Sequence, residues 1–263
     1  MLLRDAVLPD WPDAPANVGA LATTRAGGVS QGPYDDGLGG GGLNLGLHVN
    51  DDPQAVAENR ARLQALLPGR PGWISQVHGN GVVDAATVGP GQSVRTGDMR
   101  VGDASIAVQP GVVCAILTAD CLPVLFADLD GKVVGAAHAG WRGLAGGVLG
   151  ATLGAMRAAG AGEITAWMGP AIGPLAFEVG QDVFDSFAVA LPGVDIGFAF
   201  RRQPELGGKY LADMFALARL MLERDGVRSI AGGIHCTATE RDRFYSYRRD
   251  GVTGRQASLI WLK

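Results

Sequence analysis

Apolar residues recur along the chain with two spacings, one typical of helices and one typical of buried strands. An Asp at position 52 and a Pro at position 53 precede apolar residues spaced for one helix face, which indicates an N-cap and a first turn. A longer amphipathic pattern ends before Gly226, a typical C-terminal stop. Together with a small-residue segment after His138, these patterns predict helices over four ranges: 53–68, 143–156, 181–191 and 210–224.

Short apolar runs rich in β-branched residues predict strands between these helices. The predicted strands are 73–77, 112–117, 124–127 and 132–137, with a hairpin-type turn at 128–131. Helices and strands alternate without a regular βαβ rhythm, which favours the α+β class. We therefore expect one domain over residues 1–263, built from two packed mixed β-sheets flanked by helices.

Composition limits the function classes. The 263 residues are 47% hydrophobic and 18% charged, which is typical of a soluble globular protein with a large core. Three cysteines do not form a disulfide framework, and they fit a reducing compartment. Neither a signal-peptide pattern nor an apolar run of about 18 residues is present, so we expect a cytoplasmic protein that does not enter a membrane. The net charge of −4 argues against a nucleic-acid binder.

Three turns rich in small residues each carry one side chain that commonly binds soft metals. His78, Cys121 and His138 lie in these turns, although the chain has only four histidines and three cysteines. A catalytic zinc site keeps three protein ligands and leaves the fourth position for water or substrate. The pattern therefore predicts an open zinc site formed by two histidines and one cysteine, while Cys114 in an apolar run is expected to be a buried small hydrophobe.

Two residues beside these turns are candidates for catalysis. Asp120 is a candidate cap, a candidate partner that orients a metal ligand, or an acid or base. Arg142 precedes the predicted helix start near Gly143, where free N–H groups and a guanidinium would together favour a phosphate. A solvated surface charge is the alternative for this arginine.

The same turns belong to a longer set of motifs that resembles a known family. The chain is similar nearly end to end to the laccase-domain multicopper polyphenol oxidases, also called peptidoglycan editing factors, which include a human purine-metabolising enzyme. The segments that carry the resemblance, besides the three turns, are TTRAGGVS (23–30), LNLGLHV (43–49), GPAIGP (169–174) and FYSYRRDGVTGR (244–255). The Gly-rich stretch from Gly37 to Gly42 lies in a loop that is longer than is usual in the family.

The resemblance implies a fold, a metal and an activity. It implies a single zinc at His78, Cys121 and His138, in agreement with the residue pattern. It also implies phosphorolysis of adenosine, inosine, guanosine and S-methyl-5'-thioadenosine, with adenosine deamination alongside. Purine nucleosides and phosphate would be the partners, and the oligomeric state is expected to be a monomer or a weak homodimer.

Four further residues in the resembling motifs are candidates for substrate binding. Arg25 lies in a Gly-rich turn and suits a phosphate, and Arg248 is a second candidate of this kind. Asn44 either binds sugar or base or closes a turn, and His48 is expected to line the pocket. His235 is expected to pack or to form hydrogen bonds near the site.

Three functions compete for this sequence. A laccase needs about ten histidines for its copper centres and the chain has four, although copper could replace zinc adventitiously. A Cys121 nucleophile with His138 as its base would instead give a hydrolase or amidase, as in a bacterial toxin of similar fold, and would fit peptidoglycan precursor editing. The preferred interpretation is a zinc-dependent purine nucleoside phosphorylase with adenosine deaminase activity.

Overall fold

The computed structural model of the chain describes residues 6–88, 100–204 and 207–263. Within these residues the strands are β1 (Val18–Ala22), β2 (Ala26–Ser30), β3 (Pro71–Gly72), β4 (Val82–Asp84), β5 (Ala104–Ala107), β6 (Val113–Thr118), β7 (Leu122–Asp128), β8 (Val134–Ala139), β9 (Ile164–Met168), β10 (Glu178–Val179), β11 (Phe200–Gln203), β12 (Lys209–Ala212), β13 (Ile230–Gly232) and β14 (Gln256–Leu262). The α-helices are α1 (Pro53–Gln64), α2 (Trp141–Ala145), α3 (Val148–Ala158), α4 (Gln181–Ala190), α5 (Met214–Arg224) and α6 (Tyr247–Asp250).

Two mixed sheets pack face to face in the centre of the molecule. One has the strand order β1-β14-β6-β3 and the other has the order β13-β9-β7-β8-β5-β4. Each contains both parallel and antiparallel pairs. Buried side chains such as Ile116, Leu125 and Ile260 fill the space between them. The predicted α+β class with two packed mixed sheets is confirmed, and a small antiparallel sheet, β10-β12-β11, is added to it.

Helices cover the outer faces of both sheets. The six-stranded sheet carries α3 and α5, whose apolar faces include Leu153 and Leu217. On the opposite side, Leu63 of α1 packs with residues of the four-stranded sheet such as Leu259. Burying one face of each element in this way is the main source of stability in such layered folds.

Local sequence signals set several helix boundaries. The carboxylate of Asp52 accepts a hydrogen bond from the N–H of Gln54 at 2.9 Å, so the predicted N-cap of α1 is confirmed. The helix predicted over 210–224 begins only at Met214, because 209–212 pairs as β12 and Asp213 caps the helix. The helix expected from 143 is two helices, since Gly147 has a φ of 85° that interrupts it.

The structure differs from the strand predictions around the candidate ligands in two ways. Residues 73–77 do not form the predicted strand, which is limited to Pro71–Gly72 and an isolated bridge at Ser75. His138 lies inside β8 and not after it, because that strand extends to Ala139. The antiparallel register sets Pro123 of β7 opposite His138, so Cys121 lies beside this histidine.

The described helices include none that combines the length and the apolar character needed to cross a membrane.

Candidate metal centre and its cavity

Three side chains from separate loops and strands converge at one end of the paired sheets. The ligand atoms of His78, Cys121 and His138 all lie within 4.8 Å of one another. Cys121 Sγ is 3.8 Å from His78 Nε2, and the two imidazole rings meet edge to face with their centroids 4.8 Å apart. The three turns identified in the sequence are therefore brought together by the fold.

A buried carboxylate orients this cluster from below. Asp103 is fully buried, and its Oδ1 lies 2.9 Å from His138 Nδ1, which leaves Nε2 of that ring free to bind a metal. The same carboxylate accepts hydrogen bonds from the backbone N–H groups of Val77, His78 and Gly79 at 3.2, 2.8 and 2.7 Å. One side chain thus fixes two of the three candidate ligands, as partners of metal-binding histidines commonly do.

The sequence offered Asp120 as one candidate for this orienting role, and it carried no clear signal for Asp103. Asp103 is a single carboxylate before the short apolar strand β5, and such residues are common at strand ends. Its role depends on the loop at 77–79, which is distant in the chain. The carboxylate of Asp120 instead accepts hydrogen bonds from Thr237 Oγ1 and from the N–H of Arg248, both at 2.6 Å.

The electrostatics of the cluster favour a charged cysteine. Burial alone would raise the pKa of the Cys121 thiol, but hydrogen bonds from His138 and His78 outweigh it and lower this pKa to about 6. Burial would lower the pKa of His138, but its bonds to Asp103 and Cys121 raise it to about 9. For Asp103, burial is likewise outweighed by hydrogen bonds from His138 and the loop backbone, so its pKa is lowered. A thiolate is the form of cysteine that binds metals.

Backbone geometry explains the small residues around the cluster. His78 and Asp120 have positive φ values of 61° and 90°, which non-glycine residues rarely adopt and which are enriched at functional sites. A Cβ atom on Gly140 would lie 2.8 Å from His78 Cδ2 and 3.1 Å from Cys121 Sγ. Gly140 therefore provides the space that the cluster occupies.

The three side chains fit a tetrahedral metal site with one open position. Zinc bonds of roughly 2.0–2.3 Å place donor atoms roughly 3.3–3.8 Å apart, close to the spacing of this group. The cluster could therefore hold a metal after small side-chain movements. It faces a cavity, so the fourth position would be accessible to water or substrate.

The cavity has a volume of about 580 Å³, which is within the range of small-molecule sites. Apolar, cationic and neutral polar side chains contribute to its walls. The lining residues are Leu47, His48, Arg60, Ile74, Ser75, Gln76, His78, Leu117, Thr118, Ala119, Cys121, His138, Tyr247 and Arg255.

Of the residues predicted to bind substrate, His48 lines this cavity. It keeps contact with solvent, and desolvation by the surrounding protein together with the charges of Arg255 and Arg60 lowers its pKa. Asn44 lies behind the wall and closes a turn: its Oδ1 accepts from Gly46 N–H and Arg255 N–H, both at 2.9 Å. Its Nδ2 donates to Asp51 at 2.9 Å.

The structure does not bring the three predicted arginines to this cavity. Arg25 lies in a second cleft and donates to the carbonyl oxygens of Asp35 and Arg241. The exposed Arg142 follows the first residue of the five-residue helix α2, and its guanidinium lies 4.3 Å from the Trp141 ring centroid. Arg248 donates to the carbonyl oxygens of Ala176 and Glu178. A phosphate bound beside the metal cluster would need other donors.

Two arginines that were not predicted from the sequence do line the cavity. Arg60 lies on α1, where a charged residue usually faces solvent, and nothing in the local pattern distinguished it. Arg255 and the aromatic Tyr247 lie in the C-terminal motif that carries the resemblance, which was the available signal.

Comparison with known proteins places this geometry in a family. The sequence model described as multi-copper polyphenol oxidoreductase laccase matches residues 19–263. The chain belongs to this family. The laccase-like family assignment agrees with the motifs in the sequence, so the predicted resemblance is confirmed.

Relatives of this laccase-like chain are named purine nucleoside phosphorylases and not laccases. The purine nucleoside phosphorylase PA4543 of Pseudomonas aeruginosa is 51% identical over 255 residues, or 97% of both chains. The purine nucleoside phosphorylase YfiH of Escherichia coli is 48% identical over 258 residues, which span 97% of this chain and 98% of that protein.

Solved structures share the laccase-like fold. The Neisseria meningitidis protein NMB0706 has a TM-score of 0.87 at 50% identity, covering 98% of this chain and 99% of that one. YlmD from Geobacillus stearothermophilus has a TM-score of 0.83 at 35% identity, covering 96% of this chain and 94% of that one.

The family description names several coppers, which would require more than one group of metal ligands. Among the residues that the structure describes, the His78, Cys121 and His138 group is the one set of three or more candidate ligands close enough to share an ion. His235, a remaining histidine, lies 3.1 Å from a carboxylate oxygen of Glu240. A single-metal enzyme fits this donor set better than a multicopper oxidase.

Proposed function

We propose that this protein is a zinc-dependent purine nucleoside phosphorylase that acts on adenosine, inosine, guanosine and S-methyl-5'-thioadenosine. The observation that carries the proposal is an open His-Cys-His cluster on a cavity that also holds two arginines, in a chain whose relatives are named purine nucleoside phosphorylases. The proposed reaction belongs to a single domain over 1–263 in the cytoplasm, in a monomer or weak homodimer.

The cavity walls suit the two substrates in different ways. Leu47, Ile74 and Leu117 provide apolar surface that would exclude water from a purine ring, and Tyr247 provides an aromatic face at the same cavity. Arg60 and Arg255 supply the positive charge that phosphate requires. A neutral nucleoside and an anion can therefore occupy one cavity.

The metal cluster supports an additional adenosine deaminase activity. Bound zinc would supply a Lewis acid at the open position of the three ligands. Asp103 would hold His138 in the tautomer that presents Nε2, and it would fix the loop that carries His78. Under this proposal the chain's contribution is to keep the ligands in place and the cavity apolar around the base.

A nucleoside assay with and without phosphate tests the proposal. Protein loaded with one zinc per chain should release free base and the sugar 1-phosphate from inosine only when phosphate is present, and should convert adenosine to inosine in either buffer. Equal base release without phosphate would contradict phosphorolysis. Cys121→Ala should slow both reactions about a thousandfold, whereas Cys236→Ser, at a thiol that accepts a hydrogen bond from Gly173 N–H, should retain them.

A second candidate function is a Cys-His hydrolase or amidase acting on peptidoglycan precursors. The arrangement that favours it is Cys121 beside His138, with Asp103 on the far imidazole nitrogen, the order of a nucleophile, a base and an orienting carboxylate. Zinc bound to the Cys121 thiolate would prevent it from acting as a nucleophile. Hydrolysis that is fast in metal-stripped protein and is inhibited by added zinc would support the hydrolase.

An oxidase function is the third alternative. Zinc has no redox chemistry, so phenolic laccase substrates should not turn over in the zinc form, and added copper should give weak activity. Fast oxidation by a copper-free preparation would contradict the zinc assignment.

A further inference from the structure

The cavity beside the metal cluster is positively charged, although the protein as a whole is not. The chain has a formal net charge of −4, but the cavity lining contains two arginines and no aspartate or glutamate among the described residues. Clefts lined by one sign of charge concentrate ligands of the opposite sign. The cavity therefore favours anionic ligands, although the protein as a whole has a negative net charge.

Arg255 is held in place and keeps donors available. Its Nη1 donates to the carbonyl oxygens of Thr253 and Gly254 at 3.0 and 2.9 Å, and its own N–H is bound by Asn44 Oδ1. Within the described part of the chain, Nε and Nη2 of this guanidinium have no hydrogen-bond partner. A fixed guanidinium with three free N–H groups on two nitrogens suits recognition of a phosphoryl group.

Arg60 is a second cation on the same cavity. Its Nε donates to Leu45 O at 3.0 Å, and its guanidinium stacks on Trp73 with 4.5 Å to the ring centroid. Burial lowers its pKa to about 10, which still leaves it charged at neutral pH. The charges of Arg60 and Arg255 both act on His48, so these three lining residues lie near one another in the cavity.

A buried hydroxyl in the cavity wall independently indicates a ligand. Thr118 is only 2% exposed, and its Oγ1 has no hydrogen-bond partner among the described residues. Thr118 lines the cavity and precedes the turn that carries Cys121. Buried polar groups are normally satisfied, so this hydroxyl suits a polar ligand atom in the cavity.

We infer that Arg255 and Arg60 form a subsite for a phosphoryl group at the end of the cavity nearest His48, and that Thr118 contacts a polar atom of the same or the adjoining substrate. The inference rests on the proposed phosphorylase function for its choice of phosphate among anions. The phosphate-binding residues are then Arg255 and Arg60, for which the local sequence indicated no such role. They replace the earlier candidates Arg142, Arg25 and Arg248. The phosphoryl group is either inorganic phosphate or the 5'-phosphate of a nucleotide.

Direct binding measurements test the subsite without relying on catalysis. Zinc-loaded protein is titrated with inorganic phosphate by calorimetry in a phosphate-free buffer, and separately with inosine and inosine 5'-monophosphate. Wild type should bind phosphate, and Arg255→Gln and Arg60→Gln should each weaken it about tenfold or more. The matched control is Arg62→Gln on the same helix, whose guanidinium pairs with Glu58 and does not line the cavity. It should bind phosphate as wild type does.

The two sources of the phosphoryl group give different results. If the subsite serves free phosphate, inosine and its 5'-monophosphate bind alike, and the KM for phosphate rises about tenfold or more in both variants while the KM for inosine changes little. If it serves a nucleotide, the monophosphate binds more tightly than inosine, and this preference is lost in Arg255→Gln. Both results support the subsite.

Unchanged phosphate and nucleotide binding in both arginine variants, in protein with wild-type circular dichroism and zinc content, would overturn the inference. Two variants are used because Arg255 also holds the backbone at Thr253 and Gly254, whereas Arg60 tests the subsite from another element. Arginine-dependent phosphate binding without phosphorolysis would leave the subsite standing and reject the proposed function.

Discussion

Two clefts of this molecule carry arginines, and the two sets are used differently. In the second cleft, of about 450 Å³, Arg25 donates from three nitrogens to Asp35 and to Arg241 O, and Arg249 donates to the carbonyl oxygens of Thr237, Ala238 and Phe244. In the metal-side cavity, Arg255 retains two free nitrogens among the described contacts. An arginine in a Gly-rich turn is thus as well suited to bracing a loop as to binding an anion.

The carboxylates beside the candidate metal ligands differ in the same way. Asp120, next to a candidate ligand in sequence, binds Thr237 and the backbone of Arg248. Asp103, 35 residues from His138, binds the imidazole itself. Proximity in the chain therefore did not identify the residue that orients the cluster. Variants at these positions separate the residues that brace loops from the residues of the site.

The largest effect is expected for Cys121→Ala. Removing the thiolate should reduce bound zinc from about one per chain to a trace and lower nucleoside turnover about a thousandfold, on the order of 4 kcal/mol of transition-state free energy. The free energy of unfolding should change far less, because the large core does not depend on a metal. Elemental analysis, kinetics and thermal unfolding measure these quantities. Wild-type zinc content in the variant would reject Cys121 as a ligand.

Asp103→Asn should affect both the metal and the fold. An amide cannot accept all the hydrogen bonds that this buried carboxylate accepts, so we expect a loss of about 2–4 kcal/mol in the free energy of unfolding. Zinc affinity should fall roughly 10- to 100-fold. Denaturant unfolding and competition with a chelator measure the two effects. The control is Asp84→Asn, at an exposed carboxylate that caps Ala86 N–H; a similar loss of zinc affinity there would contradict the role of Asp103.

Two glycine substitutions separate the close packing at the cluster from ordinary helix propensity. Gly140→Ala should displace His78 or Cys121 and weaken zinc binding about tenfold, because the new Cβ would lie within 2.8 Å of the His78 ring. Gly154→Ala in α3 meets no atom within 4 Å and should stabilise the protein by roughly 0.5–1 kcal/mol. Chelator competition and thermal unfolding of both variants test this contrast. Unchanged zinc affinity in Gly140→Ala would contradict it.

The smallest effects on the site are expected for the arginines outside the cavity. Arg25→Ala should cost about 1–2 kcal/mol of unfolding free energy, because it removes hydrogen bonds to the partly buried carbonyl oxygens of Asp35 and Arg241, with little change in the KM for phosphate. Arg142→Ala should change stability by less than about 0.5 kcal/mol. A large rise in the KM for phosphate in Arg142→Ala alone would show that phosphate binds at the start of α2, beside Arg142.

The sequence predicted the presence and type of most helices and strands better than their first and last residues. The Asp-Pro start of α1, the helix α4 and the strands β6 and β7 follow from local signals that act within a few residues. The predictions that were wrong fell where long-range pairing decides the structure. Residues 209–212 form β12 because β11 and β10 lie on either side of that strand, and the segment 73–77 has no such neighbours for most of its length.

By itself, the sequence determined the family, the α+β class and the candidate ligands His78, Cys121 and His138, because each lies in a motif with small neighbours that is visible locally. Only the tertiary structure decided which charged side chains accompany them. Asp103, Arg60 and Arg255 reach the cluster or its cavity from distant segments, and Arg25 and Arg142 are directed elsewhere. The reason is physical: a ligand turn is set by local backbone geometry, whereas the partner of a charged group is set by whichever distant backbone and side chains pack around it.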